Sequence, residues 1–208
     1  MDFIIFGILA YLLGSIPTAI WVGKRWYNID VREHGSHNAG ATNTFRVLGK
    51  KPGIIVLTID ILKGSLAVLL PFLVLPLDWS DDHLIHLKIV CGIIAVLGHI
   101  FPIFANFDGG KGVATSLGVI VGIHPPAALI CIVVFLIVFI STNYVSLGAI
   151  LASASFPISV IFIFQNTNIF LNIFTIVLAS AIIILHHNNI KRLMKGNESK
   201  MNLFKNNP

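Results

Sequence analysis

Apolar residues are gathered into long runs divided by short polar segments. Seven runs stand out, at residues 3–22, 53–77, 84–104, 113–123, 126–140, 145–164 and 169–185. A helix rises about 1.5 Å per residue, so crossing the ~30 Å hydrocarbon core of a bilayer takes about 20 residues. The pattern predicts membrane-spanning helices. The fourth and fifth runs are short, and only His124 and Pro125 divide them. Pro126 has no N–H to lose at a helix start, so the sequence predicts a break there and seven crossings. One long kinked segment would give six.

Charge separates the two counts. All of the 14 Lys and Arg residues except Lys63, Lys88 and Lys111 lie in residues 23–52 or in the tail from Lys191 onward. The segment Asp78-Trp79-Ser80-Asp81-Asp82-His83 after the second run holds acids and no Lys or Arg. Basic flanks face the cytoplasm, which puts the first linker and the tail inside and the acidic linker outside. The first linker follows one crossing, so the N-terminus is outside. Termini on opposite sides require an odd number of crossings, and seven fits. The expected fold is an all-α integral membrane protein with seven transmembrane helices, N-terminus outside and C-terminus cytoplasmic. It comprises a single polytopic domain over residues 1–190 and a basic cytoplasmic tail over 191–208. Met1-Asp2 runs into the first apolar stretch without a basic leader or a small-residue cleavage site, so a retained helix is expected and not a signal peptide.

Composition agrees. Apolar residues make up 56% of the 208 and charged residues 11%, against about 25% charged in a soluble protein. So few charges cannot cover a soluble surface, and the mean hydropathy of +0.89 excludes a disordered chain. The net charge of +5 is read as topology and not as nucleic-acid binding. Cys91 and Cys131 lie inside apolar runs, as small buried hydrophobes and not as a disulfide framework.

The chemistry-bearing residues collect in three cytoplasmic segments. The first, residues 34–46, is dense in Gly, Ser, His, Asn and Thr and ends in Arg46. Small residues allow tight backbone folding, the amides and hydroxyls offer neutral hydrogen bonds, and the guanidinium fork suits phosphate. An ordinary polar loop at the headgroups, with Arg46 as a topology anchor, is the plainer reading. The second, residues 98–115, contains Gly109-Gly110-Lys111-Gly112 directly before an apolar run. N–H groups at a helix start beside a lysine form an anion site, although a flexible turn is the plainer reading of four such residues. No Walker-type motif is present. The third, residues 186–198, opens on His186 and places Asn189 three residues later, on the same face if the helix continues. No acid or cysteine stands at ligand spacing near the His186-His187 pair, so no metal is expected. Asp60 and Lys63, inside the second run, are either functional or a structural ion pair. Lys88 is expected to snorkel, and His99 either packs between helices or begins the fold of the second motif.

These segments resemble the bacterial membrane-embedded acyl-phosphate:glycerol-3-phosphate acyltransferases, the PlsY family. That family carries Gly-Ser-x-Asn-x-Gly-Ala-Thr-Asn-x-x-Arg, then Gly-His-x-x-Pro-x-Phe ending in Gly-Gly-Lys-Gly, then His-x-x-Asn-Ile-x-Arg-Leu ending in Glu. All three occur in order, at residues 35–46, 98–112 and 186–198, and Gly14-Ser15-Ile16-Pro17, Asp60-x-x-Lys63-Gly64 and Ser146-Leu147-Gly148 match as well. The resemblance covers nearly the whole chain. It implies seven membrane helices with the active site at the cytoplasmic face of the bacterial cell membrane. The implied reaction is transfer of a fatty acyl group from acyl phosphate to the 1-hydroxyl of glycerol 3-phosphate, giving 1-acylglycerol 3-phosphate and phosphate. That family uses neither acyl-CoA nor acyl carrier protein directly as donor, and the resemblance implies the same here.

The resemblance places Ser36, Arg46, Lys111, His186 and Asn189 around glycerol 3-phosphate as catalytic residues. It gives Asn38, Thr42, Asn43, Lys63, Gly109, Gly110, Gly112 and Ser146 to substrate binding. No metal or cofactor is implied. The expected partners are the two substrates, membrane lipid and, as pathway neighbour, the acyltransferase that makes acyl phosphate; nucleic acid is not among them. Acyl phosphate is already activated, so direct attack by the hydroxyl without a covalent acyl-enzyme is expected, with His186 or the donor's own phosphate as base. Glu198 is expected to tie the tail to a basic residue. Asp108 stands where relatives often have a basic residue and is expected to face outward, away from phosphate; Asn143 is a similar departure. A transporter for organic phosphate is the rival from another class, but its sites would lie near the midplane, whereas these gather on one face. A small structural subunit would leave the three motifs unexplained.

Overall fold

The computed structural model describes residues 2–73 and 81–201. The acidic residue Asp78, the end of the second apolar run and the tail from residue 202, with Lys205, lie outside them. Helices dominate the described residues, and none of these residues is in a strand. The reason is the solvent. A backbone in hydrocarbon must satisfy its own N–H and C=O groups, and a helix does so within one segment.

The chain divides into two compact units, one up to Pro125 and one from Pro126. The first unit holds α1 (Asp2–Gly14), α2 (Thr18–Val22), α3 (Ala41–Leu48), α4 (Lys50–Leu69), α5 (Asp81–Ile100) and α6 (Val113–Ile123). The second holds α7 (Pro125–Thr142), which opens at the boundary, then α8 (Val145–Ile158), α9 (Ile169–Leu185) and α10 (His187–Met194).

Length and composition qualify five stretches of the described residues as membrane spans: Asp2–Tyr27, Lys50–Phe72, Asp82–Ala105, Pro125–Thr142 and Val145–Ile163. The α9 and α10 helices together make a sixth, bent by 58°. The α6 helix, 11 residues long, is too short to count by length, since it rises only about 17 Å. The break predicted between the fourth and fifth runs is present: α6 ends at Ile123, and α7 begins at Pro125, one residue before the expected Pro126.

Lipid provides no hydrophobic drive for helices to associate, so small residues that let backbones approach do much of the work. In the first unit α4 packs against α6, and α1 against α5. A Cβ on Gly64 of α4 would overlap Thr115 O and lie 3.1 Å from Val119 N. On the facing helix, a Cβ on Gly118 would overlap Ile61 O. Gly14 meets the Ala95 backbone in the same way, and Gly98 would stand 2.6 Å from Tyr11 O. These four glycines make two backbone-to-backbone seams.

Pro17 interrupts the first span. Without an N–H it cannot continue the ladder, and α1 stops at Gly14 before α2 restarts at Thr18. The break releases the Ile16 carbonyl, and Lys63 Nζ donates to it at 2.8 Å. The same ammonium lies 2.8 Å from Asp60 Oδ1, one helical turn away. The sequence left this pair open between a functional and a structural role; the structure makes it an ion pair, buried to 1% and 3% exposure. Lys88 sits over the Phe72 ring, 5.5 Å from its centre.

Two expectations are corrected. Residues 41–48, read as part of a polar loop, form α3. Its apolar side docks on α4, where the Phe45 ring covers Gly53 so closely that a Cβ there would overlap the ring. The last span does not run straight through the third motif: it bends at His186, and α10 begins at His187.

In the second unit Glu198 gathers α8 and α10. Its carboxylate accepts from Ser146 Oγ at 2.7 Å, Asn189 Nδ2 at 2.7 Å and Arg192 Nε at 2.6 Å. The tie to a basic residue expected from sequence is the Arg192 bond. Met201 N–H donates to Asn143 O, and Lys200 lies over Tyr144, which extends the same closure. Burial pushes the Glu198 carboxyl up, but the three hydrogen bonds together outweigh it, and the group is held below the usual carboxylate range.

Two outcomes follow. Gly64→Leu forces a side chain into the α4–α6 seam; overpacking of this kind costs about 1–3 kcal/mol and should lower the unfolding midpoint in detergent by several degrees. Leu66→Ala, at a residue 52% exposed on the same helix, should leave it nearly unchanged. The Glu198 closure is stabilising above the ordinary Glu value of about 4.3 and is lost as pH falls through the lower value of the folded protein. A nitroxide on Lys200→Cys should stay immobile at neutral pH, gain mobility only in that acid range, and be mobile at pH 7 in Glu198→Gln.

Candidate active site

The first motif is built around one buried asparagine. Asn43, 1% exposed at the start of α3, donates from Nδ2 to Val31 O at 2.6 Å and to His34 O at 3.0 Å. Its Oδ1 accepts from Ser36 N–H at 2.8 Å. One side chain thus satisfies three backbone groups of residues 31–36 and fixes the Ser36 backbone while leaving the residue exposed. Gly35 sits against Asn43 at a φ of +63°, a conformation suited to glycine. Thr44 closes the start of the helix by donating to Gly40 O at 3.1 Å. Asn38 and Thr42 are half-buried, and the Asn38 amide lies close to Gly40. Arg46 follows Asn43 by three residues on α3 and is exposed.

An electrostatic bracket that the motifs do not predict ties this loop to the second one. Asp30 accepts from Arg32 Nε at 3.1 Å and Arg32 NH2 at 2.8 Å, and Lys24 Nζ lies 3.1 Å away. Its hydrogen bond with Arg32 leads the effects that hold the Asp30 carboxyl far below the usual range, against the opposing effect of burial. The same arginine reaches Ala105 O at 3.3 Å and Asp108 Oδ2 at 3.5 Å. Asp108 therefore faces outward as expected, its side chain 68% exposed and turned to Arg32. Beneath the bracket Ile20, Ala39 and Ala105 form a small buried cluster.

The second motif is packed, not loose. Gly110 N–H donates to His99 O at 3.2 Å. A Cβ on Gly109 would overlap His99 O, and one on Gly110 would overlap His99 Nε2 and stand 3.1 Å from Ala39 O. Only glycine fits here, and through Gly110 the second motif lies against the first. Gly112 takes a φ of +77° and opens α6, where its carbonyl accepts from Ser116 N–H at 2.7 Å. Lys111 between them is half-buried.

In the second unit, Ser146 and Asn189 meet at Glu198, both buried. His186, 4% exposed, occupies the bend between α9 and α10. Its Nδ1 lies 2.7 Å from Ile182 O. A carbonyl only accepts, so Nδ1 carries a proton and donates to it. Of the predicted residues, the structure brings Ser36, Asn43 and the start of α3 together, sets Gly110 against Ala39, and joins Ser146 to Asn189 through Glu198. Lys63 is turned to Asp60 and Ile16 within the helix packing. Sequence reasoning counted Arg32 only among the basic residues that set topology and left Asp30 unremarked; the pointer to them was the presence of carboxylates among basic residues in the first linker.

Comparison with known proteins gives the arrangement its chemical context. The family model described as glycerol-3-phosphate acyltransferase matches residues 4–196. A glycerol-3-phosphate acyltransferase of Streptococcus equi subsp. equi (strain 4047) is 45% identical over 205 residues, 96% of this chain and 92% of that protein. Glycerol-3-phosphate acyltransferase 2 of Bacillus anthracis is 46% identical over 194 residues, 93% and 96% of the two chains. Two crystal structures of PlsY (YgiH), an integral membrane glycerol 3-phosphate acyltransferase, are similar throughout. The glycerol 3-phosphate form has a TM-score of 0.85 at 37% identity and covers 99% of this chain and 100% of that one. The lysophosphatidic acid form has a TM-score of 0.82 at 36% identity, covering 98% and 97%. With its motifs in the family's order and its whole length matched, the chain belongs to the glycerol-3-phosphate acyltransferases of the integral membrane PlsY family.

Proposed function

We propose that the chain transfers a fatty acyl group from acyl phosphate to the 1-hydroxyl of glycerol 3-phosphate. The observation that carries this reading is the packed Gly109-Gly110-Lys111-Gly112 tract at the head of α6. Both substrates carry phosphate, and a fixed glycine backbone beside a lysine is a fitting anion holder. Arg46 on α3 supplies a separate guanidinium fork. Ser36, Arg46 and Lys111 serve glycerol 3-phosphate, as do His186 and Asn189, while Asn38, Thr42 and Asn43 shape the first motif. Lys63 and Ser146 contribute to substrate binding from behind, through the carbonyl and carboxylate contacts they make.

The step is a direct acyl transfer. The glycerol 1-oxygen attacks the acyl carbonyl carbon, the bond from that carbon to the bridging phosphate oxygen breaks, and phosphate departs with the electron pair. The hydroxyl proton passes to His186 Nε2 or to the departing phosphate. Positioning of the two phosphates and neutralisation of their charge supply most of the rate. No metal or cofactor takes part.

The topology proposed with this chemistry has seven crossings, α6 included, with the N-terminus outside and the C-terminus and active site cytoplasmic. Residues 1–190 act as one polytopic domain in the bacterial cell membrane, and residues 191–208 as a basic tail. The enzyme that produces acyl phosphate is the proposed neighbour, since an activated lipid is best passed on without release.

Purified protein given acyl phosphate and glycerol 3-phosphate, without nucleotide or metal, should release phosphate and form 1-acylglycerol 3-phosphate in equal amounts. Arg46→Ala and Lys111→Ala should each lower kcat/KM by about 100-fold or more, the loss of a charge-assisted phosphate contact of about 3 kcal/mol, with the unfolding midpoint kept. Activity with acyl-CoA and none with acyl phosphate would overturn the donor.

A further inference from the structure

The proposed chemistry gives no part to Asp60, His99 or Thr18, which with Lys63 form a polar cluster buried beneath the glycine tract. Asp60 and Lys63 come from α4, His99 from α5 and Thr18 from α2. All four are buried, Asp60 to 1%, Lys63 to 3%, Thr18 to 5% and His99 to 6% exposure. Asp60 Oδ1 is the hub. It accepts from Thr18 Oγ1 at 3.1 Å, lies 2.8 Å from Lys63 Nζ and stands 3.8 Å from His99 Nδ1. Asp60 Oδ2 has no hydrogen-bond partner among the described residues. Burying charge this deeply is costly, and apolar residues of the same size would pack at least as well.

The other edge of His99 gives the cluster a purpose. Its Nε2 lies where a Cβ of Gly110 would be, its carbonyl accepts from Gly110 N–H at 3.2 Å, and Gly109 rests on that same carbonyl. The imidazole is thus wedged between the Asp60 carboxylate and the glycine tract. Lys63 anchors the carboxylate from the far side through the carbonyl released at the Pro17 break.

We propose that His99, braced by Asp60 and Lys63, is a positioning residue that sets the height of Gly110 and so pre-organises the phosphate-holding backbone of residues 109–112. This rests on the reading of that tract as a phosphate holder. The ring touches no reacting atom. It acts by holding Gly110, whose own N–H is given to His99 O, and so fixes where the N–H groups of the neighbouring residues stand, which lowers the cost of ordering them when phosphate binds.

The test is a double-mutant cycle on the full chain in detergent, with kcat, KM for each substrate and the unfolding midpoint measured for His99→Ala, Gly110→Ala and the pair. Gly110→Ala should raise KM for a phosphate-bearing substrate about tenfold or more, because its methyl displaces the tract from the ring. His99→Ala should raise the same KM more than it lowers kcat, because the support is gone. In the pair the new methyl enters the space the imidazole leaves, so KM should fall at least about threefold below that of Gly110→Ala alone. His99→Asn in place of His99→Ala, keeping a polar group towards Asp60 with a shorter reach to Gly110, should show the same coupling. Independent multiplication of the two losses, or a fall in kcat and midpoint at unchanged KM, would overturn the inference. If Gly110→Ala leaves both KM values at wild type, the phosphate-holder reading itself fails. If it raises KM without coupling to His99, only the positioning role fails.

Discussion

The close approach of backbones at a few glycines is the constraint on which the first unit depends. Lipid does not press helices together, so their association rests on van der Waals contact and on hydrogen bonds across the seam. Gly64 and Gly118 bring α4 and α6 into backbone contact, and Ser65 Oγ donates to Gly118 O across the same seam at 2.9 Å. Gly14 and Gly98 do the same for α1 and α5. The second motif joins α5 to α6, and the first ends in α3, which leads directly into α4. Because interiors are close-packed, a shift of a methyl's width in either seam is carried to the loops above.

The polar residues follow from the same solvent. Irregular backbone is tolerated at membrane depth only where protein satisfies it. The Pro17 break is the case in point, since its released carbonyl is taken by Lys63 and the lysine's charge is met by Asp60. At the helix ends the rule relaxes, and there the three motif segments place their Gly, Asn and Ser residues. Even so, little is left loose. Asn43 holds the turn that carries Ser36, Arg32 ties residues 30–32 to residues 105–108, and Glu198 closes the segment after α10 onto α8. Each is a side chain that satisfies or links backbone or carboxylate groups near a motif, and each fixes the local geometry of that motif.

The spans were legible because hydrophobic length is a strong pattern. The run at 113–123 and the start and end of α9 coincide with the helices, and the break at His124 was foreseen from a proline. The α3 helix was not legible, because Ala41-Thr42-Asn43-Thr44 has the composition of a loop, and its helicity comes from Phe45 packing on Gly53, a tertiary contact. The bend at His186 likewise depends on a side chain turned back to Ile182. Motif order pointed to the family, and the comparisons bear that out. The bracket of Asp30 and Arg32 carries no motif, since pairs of opposite charge in a basic linker are common and only their reach across 73 residues to Ala105 gives this one meaning.

The central claim is that the acyl group passes directly between two held phosphate compounds, with no acyl-enzyme between them. The most direct test omits the acceptor. The enzyme is incubated with acyl phosphate and isotopically labelled inorganic phosphate, without glycerol 3-phosphate, and label in acyl phosphate is followed. Direct transfer predicts no enzyme-dependent incorporation, because without the hydroxyl the acyl–phosphate bond is never broken reversibly. Label entering acyl phosphate at a rate comparable to turnover would reveal a covalent acyl-enzyme and contradict the account.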